Sequence, residues 1–301
     1  MIRAISELAV LELVREATAT LEAAGIETAR QDAEWLLGAV LDLPRFAPYL
    51  CPGRELSRGD VVCYQALVRR RAGREPLQHL MGFEDFHGLR LAVTPAVLIP
   101  RPETEGLVEW ALEVLRDERA STVADIGTGS GAIACALAWS LPGLVVLAVE
   151  RSLPALTVAS LNIRTLGLSR RVRLVAGDLL EPLGSLRGRL DLVIANPPYI
   201  PTAHLGSLPP EVAGFEPRDA LDGGPDGMAV IRRIIAAAPS ALRPRGWLMM
   251  EIGLDQTGPL ASLMAAEGFT GIQARRDLLG AERYIGGQWA EASVAALPRT
   301  G

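Results

Sequence analysis

From about residue 122 the chain alternates short apolar runs with helical stretches, and the first run turns straight into a glycine-rich loop. The runs fall at 122–126, 144–150, 172–176, 190–195 and 246–252, a succession that predicts a parallel sheet with helices between its strands. The last two candidate strands, near 270–275 and 282–289, are joined by a short link without a helix, so they are expected to run antiparallel to each other. Val123-Ala124-Asp125-Ile126 leads into Gly127-Thr128-Gly129-Ser130-Gly131, and a helix carrying Ile133, Ala134, Leu137 and Ala138 follows at once. Glycines in such a turn let the backbone bend tightly and approach a ligand with no Cβ in the way. The spacing also satisfies the GxGxxA pattern, so a dinucleotide stays open at this point.

The N-terminal quarter reads as helices. Leu8, Leu11, Val14, Ala17 and Leu21 recur at three- and four-residue steps until Gly25 stops them. A second stripe of Ala33, Leu36, Leu37 and Val40 begins after Thr28 and is broken by Pro44, Pro48, Pro52 and Gly53. Ser57 is the expected N-cap of a third helix carrying Val61, Val62, Tyr64, Ala66, Leu67 and Val68. Between Pro76 and Thr94, Gly82 and Gly88 punctuate short segments such as Leu89–Val93, the pattern of a β-hairpin. The expected organisation is therefore a helical domain over 1–75, a hairpin linker over 76–98 and an α/β domain over 99–301.

Composition narrows the chemistry. The formal charge is −5, which argues against a general nucleic-acid binder. All 30 basic residues are arginines. The lack of lysine excludes Schiff-base chemistry, pyridoxal-phosphate linkage and a Walker-type phosphate lysine. Cys51, Cys63 and Cys135 form no CxxC pair, and His79, His87 and His204 lack metal-ligand spacing, so no metal is expected. Glu7, Glu12 and Glu16 interrupt the N-terminal segment, and no apolar run is long enough to span a membrane. A cytoplasmic protein without a membrane partner is expected. Arg69, Arg70, Arg71 and Arg74 form the one basic cluster, read as a solvated helix face or a surface for an acidic protein or ribosomal RNA.

Two constellations carry the functional reading. Glu150 ends the second sheet strand about 20 residues after the loop, where an acidic side chain accepts hydrogen bonds from ribose hydroxyls. Asp178 and Leu179 follow the third strand, placed to accept from an adenine amine and to cover its ring. The fourth strand then delivers Asn196-Pro197-Pro198-Tyr199 at the carboxyl end of the sheet. The Asn196 oxygen and the Pro197 carbonyl together accept both hydrogens of a planar NH2 group, and Tyr199 offers an aromatic face to its plane. This is the pattern expected for methyl transfer from S-adenosylmethionine to an exocyclic or amide nitrogen, a reaction that needs positioning more than a strong base. His204 is read as a loop histidine rather than that base.

These residues resemble the HemK/PrmC family of protein-glutamine methyltransferases acting on peptide chain release factors. The resemblance runs through Glu75-Pro76-Leu77-Gln78, Gly82, Phe86 and Gly88, then through Leu98-Ile99-Pro100-Arg101-Pro102-Glu103-Thr104-Glu105. It continues in Asp125–Ile133, Asn196–Pro201, Glu216-Pro217, Ala220-Leu221, Gly223-Gly224, Glu251-Ile252-Gly253 and Asp255-Gln256. It implies a Rossmann-like, seven-stranded S-adenosylmethionine-dependent methyltransferase domain behind a small helical, substrate-recruiting domain. The implied substrate is the glutamine of the Gly-Gly-Gln loop of class 1 release factors, with S-adenosylhomocysteine as product. Asp125 joins the implied cofactor set of Gly127, Thr128, Gly129, Ser130, Gly131, Glu150, Asp178, Leu179 and Asn196. Asn196, Pro197, Pro198 and Tyr199 are the implied substrate clamp, with Asn196, Pro197 and Tyr199 catalytic.

Glu150 replaces the aspartate usual in that family, and Leu179 stands where an aromatic is common. Two other methyl acceptors stay open: a ribosomal-protein glutamine, and an adenine amine of nucleic acid, against which the acidic balance weighs. A non-enzymatic nucleotide-binding module is the third alternative, although the Asn196 turn has no purpose there. Gly286-Gly287-Gln288 spells the implied target tripeptide, but it reads as a final sheet strand and is expected to stay unmodified.

Overall fold

The computed structural model describes residues 7–43, 56–116 and 121–290. It divides into two compact units, one formed by Met1–Phe83 with Leu208–Glu216 and the other by Glu84–Ser207 with Pro217–Gly301.

In the first unit, α1 (Glu7–Ala23), α2 (Ala29–Leu41) and α3 (Arg58–Ala72) bury Val10, Val14, Leu21, Leu36, Leu37, Tyr64 and Val68 in one core. Ser57 caps α3 through a reciprocal capping box with Asp60, a device that stabilises a helix start by about 1 kcal/mol. Two members of the expected stripes lie outside the core: Leu11 is 51% exposed and Val62 is 64% exposed. Val10 takes the buried place beside Val14, because the stripe is rotated by one residue. The Leu8 side chain and residues Pro44, Cys51, Pro52 and Gly53 lie outside what is described.

The arginine cluster is not a solvated face throughout. Arg71 is buried; its Nε donates to Asp32 Oδ2 at 2.7 Å and its Nη1 to Glu211 Oε1 at 3.1 Å. Arg74 donates to Glu211 Oε2 at 2.8 Å, and Arg70 pairs with Glu75 at 2.6 Å. A guanidinium with five donors can join several acceptors at once, and here it ties Leu208–Glu216 to the three-helix core. α4 (Leu77–Met81), a single helical turn, also packs there. The hairpin is thus shorter than the pattern suggested: β1 (Phe83–Phe86) and β2 (Leu89–Ala92).

The second unit is a seven-stranded sheet. Its strands are β3 (Ser121–Ile126), β4 (Leu144–Glu150), β5 (Val172–Ala176), β6 (Leu190–Ala195), β7 (Leu242–Glu251), β8 (Phe269–Arg276) and β9 (Glu282–Trp289), in the order β5-β4-β3-β6-β7-β9-β8. β3 to β7 are mutually parallel, whereas β9 runs antiparallel to both β7 and β8. The strand order reverses at β3, so the crevice for ligands falls at the carboxyl ends of β3, β4 and β6.

α5 (Pro102–Leu115), α6 (Ala132–Ser140), α7 (Leu153–Thr165), α9 (Ala229–Ala241) and α10 (Thr257–Ala266) cover the sheet; α8 (Pro210–Phe215) belongs to the first unit. α6 is Ala-Ile-Ala-Cys-Ala-Leu-Ala over its buried length, short side chains that let a helix sink against the strands on most of its circumference. Only a 3-10 turn, Glu181–Leu186, links β5 to β6 where a helical segment was expected. On α7, Asn162 exchanges hydrogen bonds with Ala92 of the hairpin (2.7 and 3.0 Å) and donates to the Ser130 carbonyl at 2.8 Å. One buried amide thereby fixes the hairpin and the glycine loop together. No helix among the described residues is long and apolar enough to cross a membrane.

Candidate active site

At the carboxyl end of β3 the chain turns through Gly127, Gly129 and Gly131, with φ of 72°, 55° and 82°. Those angles lie in the left-handed region, which glycine enters without the cost that a Cβ imposes. Gly127 and Thr128 donate to the Val149 carbonyl at 2.9 and 3.0 Å. Glu150 holds the next part of the turn: Oε2 accepts from the Gly129 N–H at 3.0 Å and Oε1 from the Ser152 N–H at 2.9 Å. The longer glutamate stem lets one carboxylate reach the loop and the start of α7 together.

Asp125 lies beneath the loop, fully buried. Its Oδ2 accepts from the Thr128 hydroxyl at 2.5 Å and the Ala134 N–H at 3.2 Å, while Oδ1 makes no hydrogen bond. Burial pushes this carboxyl up to about 7; the bonds from Thr128 and Ala134 oppose the rise, and the nearby Glu150 charge adds to it.

A cleft of about 680 Å³ opens beside this turn, well within the range of small-molecule sites. Gly127, Thr128, Gly129, Ser130, Glu150, Asp178, Leu179, Asn196, Pro197 and Pro198 all line it. Leu179 has a φ of 48°, rare for a branched side chain, and packs on the core between the sheet and α9. Asp178 Oδ2 accepts from Arg233 at 2.6 Å, and that arginine is part of the wall. Asp125, Gly131 and Tyr199 stand behind the wall rather than on it. His204 is exposed on the 3-10 turn Thr202–Ser207.

Asn196 leaves β6 and its Nδ2 donates to Thr104 Oγ1 at 3.0 Å. Thr104, in the first turn of α5, donates to Glu251 Oε2 at 2.7 Å, and the Tyr199 hydroxyl donates to Glu251 Oε1 at 3.2 Å. Burial raises the Glu251 carboxyl, against the lowering effects of Thr104, Arg283 and Tyr199. Burial and the adjacent Glu251 charge likewise raise the Tyr199 hydroxyl. Gln256 secures the far end of the turn, with Nε2 on the carbonyls of Tyr199 (3.1 Å) and Gly227 (3.3 Å) and Oε1 on the Gly253 N–H (2.9 Å). Gly227 is glycine for a local reason: a Cβ there would sit 2.3 Å from the Tyr199 oxygen.

Arg101, Thr104 and Pro217–Ala220 also line the cleft, and sequence reasoning gave them no role. Their signal was the segments around residues 98–105 and 216–221, visible as motifs but silent about which side chains face inward.

A seven-stranded sheet with an antiparallel final pair, a glycine turn after its first strand and an Asn-Pro-Pro-Tyr turn after its fourth defines a Rossmann-like methyltransferase domain. The solved catalytic domain of human METTL16, in complex with MAT2A 3'UTR hairpin 1, superposes with a TM-score of 0.56 at 19% identity, covering 82% of this chain and 86% of that one. The likeness concerns the fold.

Sequence relatives are more specific. The PrmC N-terminal domain family matches residues 12–82 and the methyltransferase small domain family residues 108–206. The release factor glutamine methyltransferase of Geobacter sulfurreducens is 46% identical over 264 residues, 88% of this chain and 91% of that protein. Those of Moorella thermoacetica (46%; 89% and 94% covered) and Nitratidesulfovibrio vulgaris (44%; 91% and 92% covered) are similar along nearly their whole length. The chain belongs to the release factor glutamine methyltransferase family, and the dinucleotide reading of its glycine loop falls away.

Proposed function

We propose that this protein methylates the side-chain amide nitrogen of the glutamine in the Gly-Gly-Gln loop of class 1 release factors, in the cytoplasm, using S-adenosylmethionine. One observation carries the reading: Asn196, Pro197 and Pro198 share a cleft with the glycine turn, Glu150, Asp178 and Leu179. The donor set fits an adenosine bearing a cationic sulfur. Glu150 meets ribose hydroxyls with its remaining lone pairs, Asp178 and Leu179 meet adenine, and the Glu150 carboxylate on the cleft wall favours positive charge. The cofactor supplies a methyl group already activated by its positive sulfur.

The chain's own contribution is positioning. The Asn196 oxygen and the Pro197 carbonyl accept the two N–H bonds of the substrate amide, which fixes the plane of the nitrogen. As the nitrogen lone pair leaves conjugation the N–H hydrogens become more positive, and both acceptors bind them more tightly than in the ground state. The Tyr199 ring, fixed through its hydroxyl on Glu251, backs the turn. Once the N–C bond has formed, the methylated nitrogen sheds one N–H proton to water, and the clamp itself needs no general base.

Incubation with radiolabelled methyl donor and, separately, a full-length class 1 release factor, ribosomal subunits and DNA tests the substrate. Label is expected on the Gly-Gly-Gln peptide; label on a ribosomal protein or on adenine in its place overturns the assignment. Glu150→Ala is expected to weaken cofactor binding by about 1–3 kcal/mol, measured by calorimetry. The loss includes the Gly129 and Ser152 amides that the carboxylate now satisfies.

Gln288 is expected to remain unmethylated. It sits in β9, paired with Trp247 on one side and Thr270 on the other, and its Nε2 donates to the Arg245 carbonyl at 3.3 Å. Trp247 is itself in register with Leu192, so Gln288 lies level with a point roughly 13 Å along β6 from Asn196. Peptide mass spectrometry after incubation with cofactor alone checks this; a mass gain of a single CH2 on the Gln288 peptide refutes it.

A further inference from the structure

An asparagine side chain has two ends of nearly equal shape and opposite polarity, and only one of them can hold a substrate NH2 group. We propose that Thr104, held by Glu251, sets the direction of the Asn196 amide and is thereby a positioning residue for methyl transfer; this rests on the glutamine-methylation reading above. The three side chains converge from different elements: Thr104 from the first turn of α5, Asn196 from the end of β6 and Glu251 from the last position of β7.

The direction follows from the donors and acceptors. A carboxylate only accepts hydrogen bonds. The single hydroxyl hydrogen of Thr104 therefore goes to Glu251 Oε2, 2.7 Å away. What Thr104 shows to Asn196, 3.0 Å away, is a lone pair. Only the NH2 end of the amide satisfies that lone pair, so the Asn196 oxygen is turned away from Thr104. A flipped amide would set Oδ1 against the Thr104 oxygen, two acceptors with no proton between them. The Tyr199 hydroxyl engages the other Glu251 oxygen at 3.2 Å, so both oxygens of the carboxylate are committed. Burial raises the Glu251 carboxyl, and the bonds from Thr104 and Tyr199 together with the Arg283 charge act against that rise.

Burial strengthens this arrangement. Thr104 is 4% exposed and Glu251 1%, so no bulk water competes for the hydroxyl, and each bond is electrostatically stronger than it would be at the surface. Thr104 also lines the cleft, but its role is exerted through Asn196. The segment around residues 98–105 thus acquires a physical purpose: a hydroxyl at its Thr104 position reads the polarity of Glu251 and passes it to the clamp.

Thr104→Val keeps the shape and removes the hydroxyl; Thr104→Ser keeps the hydroxyl. With a full-length class 1 release factor, Thr104→Val is expected to lower kcat at least about tenfold, as a misoriented reactive group does. KM for the release factor and cofactor affinity should stay within about twofold, and Thr104→Ser should recover most of kcat. Wild-type kcat in Thr104→Val, a loss confined to KM or cofactor affinity, or no recovery in Thr104→Ser overturns the proposal.

A second measurement needs no substrate. In protein carrying isotope-labelled asparagine, the side-chain NH2 signal of Asn196, identified by its disappearance in Asn196→Ala, is expected to move in Thr104→Val and stay near its place in Thr104→Ser. An unmoved signal in Thr104→Val overturns the proposal whatever the substrate is. Failure of the wild-type protein to label a release factor counts against the substrate assignment alone, and the spectrum still decides the orientation.

Discussion

Asn196→Ala is expected to reduce methyl transfer by on the order of a hundredfold or more, the scale of one lost preorganised polar contact, while cofactor affinity changes little. The side chain meets the cleft at its substrate end and is held from behind by Thr104. Truncation therefore removes an acceptor that matters most as charge develops, and leaves the glycine turn and Glu150 as they were. Asn196→Asp is expected to fail as well, for a different reason. An aspartate has no N–H to give Thr104, whose one hydrogen already serves Glu251. Two carboxylates would then compete for that hydrogen in a buried site, with like-charge repulsion added. Single-turnover rates at saturating cofactor, beside calorimetric cofactor affinities, check both variants; wild-type turnover in either one ends the clamp mechanism.

The strand succession was legible because buried parallel strands are short, apolar and bounded by turn residues. Leu144–Glu150, Val172–Ala176 and Leu190–Ala195 occupy the positions that their apolar runs indicated. The antiparallel final pair was legible because a link of a few residues cannot carry a parallel crossover. Helical faces were read less well. Leu11 and Val62 are apolar yet exposed, since an apolar residue carries no obligation to be inside and a stripe rotated by one residue fits the same pattern. Arg71 is the converse: its sequence neighbours suggest a solvated basic face, and only the fold shows Asp32 and Glu211 waiting for it from 39 and 140 positions away.

The same limit applies at the cleft. Residues whose role depends on a tight turn or a strand end, such as Gly129, Glu150 and Asn196, announce themselves by local spacing. Thr104, Glu251 and Gln256 act over long separations. The Thr104–Glu251 bond spans 147 positions and the bond from Gln256 to the Tyr199 carbonyl spans 57. No periodicity encodes such pairs, because they exist only once α5, β6 and β7 are side by side.

Gly129→Val is expected to abolish detectable cofactor binding while the protein stays folded. Gly129 holds a φ of 55° and directs its N–H to Glu150 Oε2. An L residue at such an angle costs about 1–2 kcal/mol, and a β-branched one is held more stiffly still. A Cβ built at Gly129 comes no nearer to the rest of the chain than 3.9 Å, at the Gly127 oxygen. The fold therefore has room for the side chain; the ligand does not, because Gly129 lines the cleft and its Cβ occupies the space through which the backbone meets a ligand. The strain also pulls the turn from Glu150, so the valine acts on the ribose end of the site as well. Calorimetry against S-adenosylmethionine, with a thermal melt to verify folding, is the measurement. A folded Gly129→Val protein that binds cofactor as the wild type does moves the cofactor site away from this turn, and unchanged affinity in Glu150→Ala beside it removes the ribose contact too.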